Sequence, residues 1–176
     1  TRTRAVRGMT VLPILHWPDP RLSTPCAPAV LSDATRALAA DMLDTMYAAP
    51  GRGLAAPQVG HLIRLFVMDA TWKEGTPAPR ICLNPEILWR SEATATGTEG
   101  CLSIPGLTTD ITRATEIRLR WTDLNSATQE ETLTGFAAIC AQHEYDHLDG
   151  LVTFDRLPPA ARATALDAYT AAQATA

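Results

Sequence analysis

The chain has 176 residues, of which 46% are hydrophobic and 19% charged, and a formal net charge of −4. That length suits one domain with a sizeable core, and the balance is that of an ordinary globular protein with no charge excess for non-specific nucleic-acid binding. No apolar run approaches the roughly 18 residues of a membrane span, and four cysteines with neither a CxxC pair nor a signal-peptide pattern point to a reducing compartment.

Taken in order, residues 1–8 carry Arg2, Arg4 and Arg7 and no acid. Residues 1–10 are expected to be a flexible extension, followed by a single domain over 11–176. Organelle targeting stays open, because transit peptides are Arg-rich and poor in acids. Residues 31–49 read as a helix: Ser32 and Asp33 offer cap oxygens, and Leu38, Met42 and Met46 recur at i, i+4, i+8. Residues 51–60 read as a glycine-punctuated loop whose chemistry would come from the amide of Gln58. Residues 62–69 read as a strand, 71–80 as a loop, and 80–89 as a strand pair broken at Asn84-Pro85. Gly100 before Cys101 permits close backbone approach, and Pro105-Gly106 marks a turn. Residues 116–122 alternate cleanly, with Ile117, Leu119 and Trp121 on one face, and predict a half-buried strand. After a turn at Asn125-Ser126, residues 129–133 pair back.

The helix predicted over residues 135–149 carries Gln142-His143-Glu144-Tyr145-Asp146-His147 and stops at Gly150. Residues four apart share a helix face, so His143 and His147 can grip one metal ion. Glu144 lies about 60° round from His147, within reach of a water at that metal. Taken alone, the motif also fits a solvated helix with an incidental histidine pair. Residues 151–154 are expected as a short strand and 158–172 as an Ala-rich helix opened by Pro158-Pro159. The fold class is α+β: short, mostly antiparallel strands around one buried helix.

A catalytic site of this type needs a third protein ligand. The extended pattern HExxHxxGxxH is matched through Gly150, but Thr153 stands where its third histidine would fall. His16 and His61 sit in turn-like segments and read as surface residues. Asp149 and Asp155 are conceivable ligands, with Asp155 better suited to capping. Cys101 is the better candidate, since a thiolate beside a divalent metal is a strong ligand. Cys26, Cys82 and Cys140 read as buried free cysteines.

Three separated stretches resemble the signatures of the peptide deformylase family: Gly51-Arg52-Gly53-Leu54-Ala55-Ala56-Pro57-Gln58, Glu99-Gly100-Cys101-Leu102-Ser103 and Gln142-His143-Glu144-Tyr145-Asp146-His147. They occur in the family's order, and the resemblance runs from about Val11 to Leu157. It implies a central HExxH helix flanked by antiparallel sheets, and removal of the formyl group from N-terminal formylmethionine of new polypeptides with release of formate. It implies that Cys101, His143 and His147 bind one divalent metal, Fe2+ in the cell, with Zn2+, Ni2+ or Co2+ as exchange products. Glu144 is implied as general base, and the Leu102 backbone N–H and Gln58 side chain as oxyanion donors. Gly53, Arg52, Phe136, Ile139 and Cys140 are expected around the methionine slot. Asp146 is expected to pair with Arg113, and Glu99 to hold the cysteine loop. The implied partners are N-formylmethionyl peptides and, transiently, the ribosome, for a cytoplasmic monomer with no DNA or membrane role. Two residues depart from the family pattern: Arg52 stands where Val or Ile is usual, and Thr108 where many relatives have an arginine. The alternatives are a deformylase-like amidase for another N-formyl or N-acyl substrate, a metallopeptidase, disfavoured by Thr153 and the cysteine loop, and a structural metal domain, disfavoured by Glu144.

Overall fold

A computed structural model describes residues 8–175 of the protein. Its elements, in chain order, are α1 (Asp33–Ala48), β1 (Gly53–Ala55), β2 (Leu65–Met68), β3 (Arg80–Arg90), β4 (Thr94–Cys101), β5 (Ile104–Ala114), β6 (Glu116–Thr122), β7 (Thr128–Thr134), α2 (Gly135–Leu148) and α3 (Pro159–Ala174). Five strands form one sheet in the order β1-β2-β3-β6-β7, with every pairing antiparallel, and β4 and β5 form a separate hairpin. This is the α+β architecture expected.

The layers follow from where each strand sends its side chains. All four residues of β2 are buried, because both faces of the sheet are covered. Leu65 and Val67 pack with Leu54, Leu83 and, from α1, Ala39, Met42 and Met46. Phe66 and Met68 point the other way and join Ile117, Leu119 and Trp121 against Ala138, Ala141 and Leu148 of α2. Burying each large side chain of this kind contributes about 1.5–3 kcal/mol. β6 buries Ile117, Leu119 and Trp121, the face its alternation predicts. A third cluster ties Ala165 and Tyr169 of α3 to Leu22, Ile104 and Phe154.

The ends of α1 and α2 are set locally. Ser32 Oγ accepts from the Thr35 backbone N–H at 3.2 Å, capping α1. At the end of α2, Gly150 has φ +77°, its N–H donates to the His147 carbonyl, and the Leu151 N–H donates to the Asp146 carbonyl. That double closure satisfies the last carbonyls of the helix.

Several expectations are corrected. Residues 51–60 are not a plain loop: they supply β1 and a 3-10 turn, Ala56–Val59, because the sheet edge recruits Gly53–Ala55 onto β2. The strand expected over 62–69 is confined to Leu65–Met68. The pair expected over 80–89 is one continuous strand. Asn84, at φ +49°, makes an irregularity in it and is held by two hydrogen bonds to the Ala29 backbone. Residues 151–154 form no strand. Thr153–Arg156 is a 3-10 turn, capped by Asp155 Oδ2 accepting from the Val152 N–H at 2.9 Å. The hairpin β4–β5 was not predicted. Its outer part is exposed, Thr- and Gly-rich, and held by backbone pairing, so it carries no hydrophobic period. The extension expected over 1–10 falls on residues 1–7 outside the described residues, and residues 8–10 have no regular structure.

Candidate active site

α2 places His143, Glu144 and His147, and the tight turn of the β4–β5 hairpin places Cys101, paired with Ile104. One ligand atom from each of Cys101, His143 and His147 lies within 4.8 Å of the others. Cys101 Sγ is 3.5 Å from His147 Nε2. A thiolate and an imidazole on one tetrahedral ion, at bond lengths of about 2.3 and 2.0–2.1 Å, would be about 3.6 Å apart. His143 Nδ1 is engaged by Glu99 Oε1 at 2.9 Å, which leaves Nε2 for the cluster. A soft thiolate with two imidazoles suits a first-row divalent ion. His16 and His61 are both exposed, as expected.

The electrostatics agree with that donor set. Burial alone would raise the Cys101 thiol, but the facing His147 and His143 rings hold it well below its usual value. Burial works against a charged His143, yet the bonds to Cys101 and Glu99 hold its pKa well above the usual value. Thiolate and imidazolium stabilise each other here, and a bound cation would take the place of the imidazole proton.

Glu144 is 4% exposed, and its burial raises its pKa while the two imidazoles partly offset the shift. Its Oε1 lies 3.8 Å from His143 Nε2, and its Oε2 has no hydrogen-bond partner among the described residues. That oxygen is the acceptor a water beside the ligand cluster requires. Gly53 faces it closely: a Cβ there would come within 2.8 Å of Glu144 Cγ. Gly53→Ala must therefore displace the carboxylate. It is expected to lower kcat/KM for formate release by about 10²-fold, as misplacement by about 1 Å does. The urea midpoint and formate release measured together check this, and wild-type kcat/KM would refute it.

Gln58 is anchored on both sides. Its Oε1 accepts from the Ala55 N–H at 2.9 Å, and its Nε2 donates to Ser103 Oγ at 3.0 Å while lying 3.7 Å from Cys101 Sγ. The amide donor is thus aimed at the ligand cluster. Behind the cluster, Arg113 donates to Glu99 at 2.7 and 3.0 Å and to Asp146 at 2.9 Å. Both pairings match the sequence reading: Asp146 meets Arg113, and Glu99 supports the cysteine strand. Burial would raise both acids, but His143 and Arg113 hold Glu99 low, and Arg156 and Arg113 hold Asp146 low. The sequence reading missed Arg156, which grips Asp146 at 2.6 and 3.0 Å, and Ser103, which orients Gln58.

A cavity of about 580 Å3 opens over the cluster and is lined by every predicted site residue except His147, which lies deeper. Leu102, Ile139, Cys140 and Phe136 give it an apolar wall. Burial pushes the Cys140 thiol well up, so it is an inert liner. The Arg52 head is bound to Glu74 at 2.8 Å and stacks over the Phe136 ring at 4.8 Å. Thr108 lines the cavity from β5.

Comparison with known proteins places this geometry. The family model described as Polypeptide deformylase matches residues 11–163. The chain belongs to the polypeptide deformylase family. It is similar to the peptide deformylase of Alkalilimnicola ehrlichii, at 51% identity over 150 residues, 85% of this chain and 83% of that one. It is 44% identical to the peptide deformylase of Afipia carboxidovorans over 165 residues, 93% of this chain and 96% of that one. The crystal structure of peptide deformylase from Thermus thermophilus superposes with a TM-score of 0.85 at 41% identity, covering 92% of this chain and 95% of that chain. The family's activity is this chain's: metal-dependent hydrolysis that removes the N-formyl group from N-terminal formylmethionine of new polypeptides and releases formate. The alternative, an amidase for another acyl group, is not favoured.

Proposed function

We propose that Cys101, His143 and His147 hold a single divalent ion, iron(II) in the cell, and that Glu144 is the proton-transfer residue of deformylation. The observation that carries this is the buried, unpartnered Glu144 Oε2 beside the three-donor cluster. Zinc, nickel and cobalt suit the same donors, and iron(II) rests on the family resemblance. When bound, the ion supplies Lewis acidity and lowers the pKa of a coordinated water. Glu144 Oε2 takes a proton from the attacking water and returns it to the departing amine nitrogen. Gln58 Nε2, steered by Ser103, and the Leu102 backbone N–H receive the charge that develops on the formyl oxygen. Phe136, Ile139, Cys140 and the open Gly53 backbone receive the methionine side chain. Arg52 walls that slot with its stem, its head being occupied by Glu74, so we do not assign it to reading an acidic substrate group.

The formyl peptide would be met on the nascent chain, with transient ribosome contact, by a monomeric single-domain protein over 11–176 in the cytoplasm. Among the described residues no helix is long and apolar enough to cross a membrane.

The test is formate release from formyl-Met-Ala-Ser by anaerobically prepared protein. Chelation should abolish turnover, and iron(II), nickel or zinc should restore it to different degrees. The far-ultraviolet dichroism should change little on chelation, because the hydrophobic clusters hold the fold without the ion. Full activity after verified metal removal would sink the assignment.

A further inference from the structure

A second cavity, about 390 Å3, lies against a different face of α2. It shares no lining residue with the active-site cavity: Gln142 and Asp146 face it, whereas Ile139, Cys140, His143 and Glu144 face the other. Its wall carries three guanidinium groups, Arg90, Arg113 and Arg156, against the single carboxylate of Asp146. Arg113 and Arg156 both bond Asp146. Arg90, exposed at the end of β3, makes no side-chain hydrogen bond or ion pair among the described residues, and neither Glu92 nor Glu116 lines the cavity. Gln142 Nε2 is committed to the Ala114 and Ala138 carbonyls and the Thr112 hydroxyl is paired with Thr96, so the donors left to the cavity are those of the arginines.

We propose that this cavity binds a small phosphoryl oxyanion, inorganic phosphate or a phosphomonoester, between Arg90, Arg113 and Arg156. Counting Glu99, which grips Arg113, the three cations exceed the two carboxylates by one, the charge that a phosphate monoanion balances. The Arg113 and Arg156 forks are taken by Glu99 and Asp146, so these two offer their remaining Nη hydrogens, while Arg90 offers a whole planar fork to the phosphate oxygens. Arg113 is already rigid between Glu99 and Asp146, so little ordering entropy opposes binding. Arg90 completes the site from the solvent side and is the residue whose charge is otherwise unspent. The proposal does not depend on the deformylation assignment, because it concerns another face of the helix.

The experiment is an amide NMR titration of zinc-loaded full chain with inorganic phosphate and, separately, with glycerol 3-phosphate, exchanged against chloride at constant ionic strength. Saturable shifts centred on residues 112–114 and 142 are expected. Arg90→Gln should weaken binding by about tenfold, the loss of one charge-assisted contact, and Arg90→Glu by more. Both variants should keep wild-type formate release. Saturation by phosphate alone would identify the free ion as ligand, and tighter binding of the ester a phosphorylated metabolite. Non-saturating shifts, shifts confined to residues around Cys101 and Glu144, or unchanged affinity in Arg90→Glu would each overturn the proposal.

Discussion

Glu144→Gln is expected to cut formate release by about 10²–10⁴-fold, the usual contribution of a positioned general base, while the protein keeps its metal. Glutamine has the same shape, and Glu144 is not among the three donors that converge within 4.8 Å, so the ion's grip should be untouched. Stability should not fall. The carboxylate is buried, its charged form is disfavoured by that burial, and its Oε2 has no partner among the described residues. A neutral amide removes that cost, so the urea midpoint should hold or rise slightly. Turnover, metal content per chain and the midpoint together separate the outcomes. Near-wild-type turnover with metal bound would remove Glu144 from the chemistry.

The largest stability effect is expected at Arg113. It is 6% exposed and joins Glu99 to Asp146. Arg113→Met leaves Glu99 without its fork and leaves Asp146 only the half-exposed Arg156. Removing one partner of a buried ion pair typically costs about 3–5 kcal/mol, because a charge stays buried without compensation. Urea denaturation at neutral pH should show a loss of that size, and a loss below about 1 kcal/mol would refute the reading. The pH dependence has a definite sign. In the native protein both acids are held below their ordinary values, so their contribution is present above the unfolded pKa values, about 3.9 for Asp and 4.3 for Glu. It is lost as pH falls through the lower folded values. The deficit of Arg113→Met should therefore be greatest near neutrality and narrow as acid protonates the two carboxylates.

Much of this site is local and was legible. The i, i+4 spacing of His143 and His147 with Glu144 between them needs only helical geometry, and that helix exists. Gly150 ends the helix because its positive φ is cheap only for glycine. The alternation at Ile117, Leu119 and Trp121 describes a strand with one buried face, and it is buried. Cys101 stood out as a third donor by its thiolate chemistry, a resemblance carried by three short motifs implied the same residue, and the geometry brings Cys101 to His147 across 46 residues of chain.

What remained hidden depends on contacts distant in sequence. The hairpin β4–β5 is held by backbone pairing and threonine side-chain bonds such as Thr96–Thr112, neither of which leaves a hydrophobic period. Arg156 is an unremarked charge in sequence until the 3-10 turn that ends on it brings its guanidinium onto Asp146. Arg52 could be read either as an acid-seeking cation or as a wall, and only packing beside Glu74 and Phe136 decided for the wall. Helix and strand periodicity and the His143–Glu144–His147 arrangement were readable from the chain, because each is written within a turn or two of it. The approach of Cys101 to the histidines, the Glu99–Arg113–Asp146–Arg156 support and the fate of Arg52 emerge only from packing, because side-chain pairing across 10 to 46 residues exists only once the layers have come together.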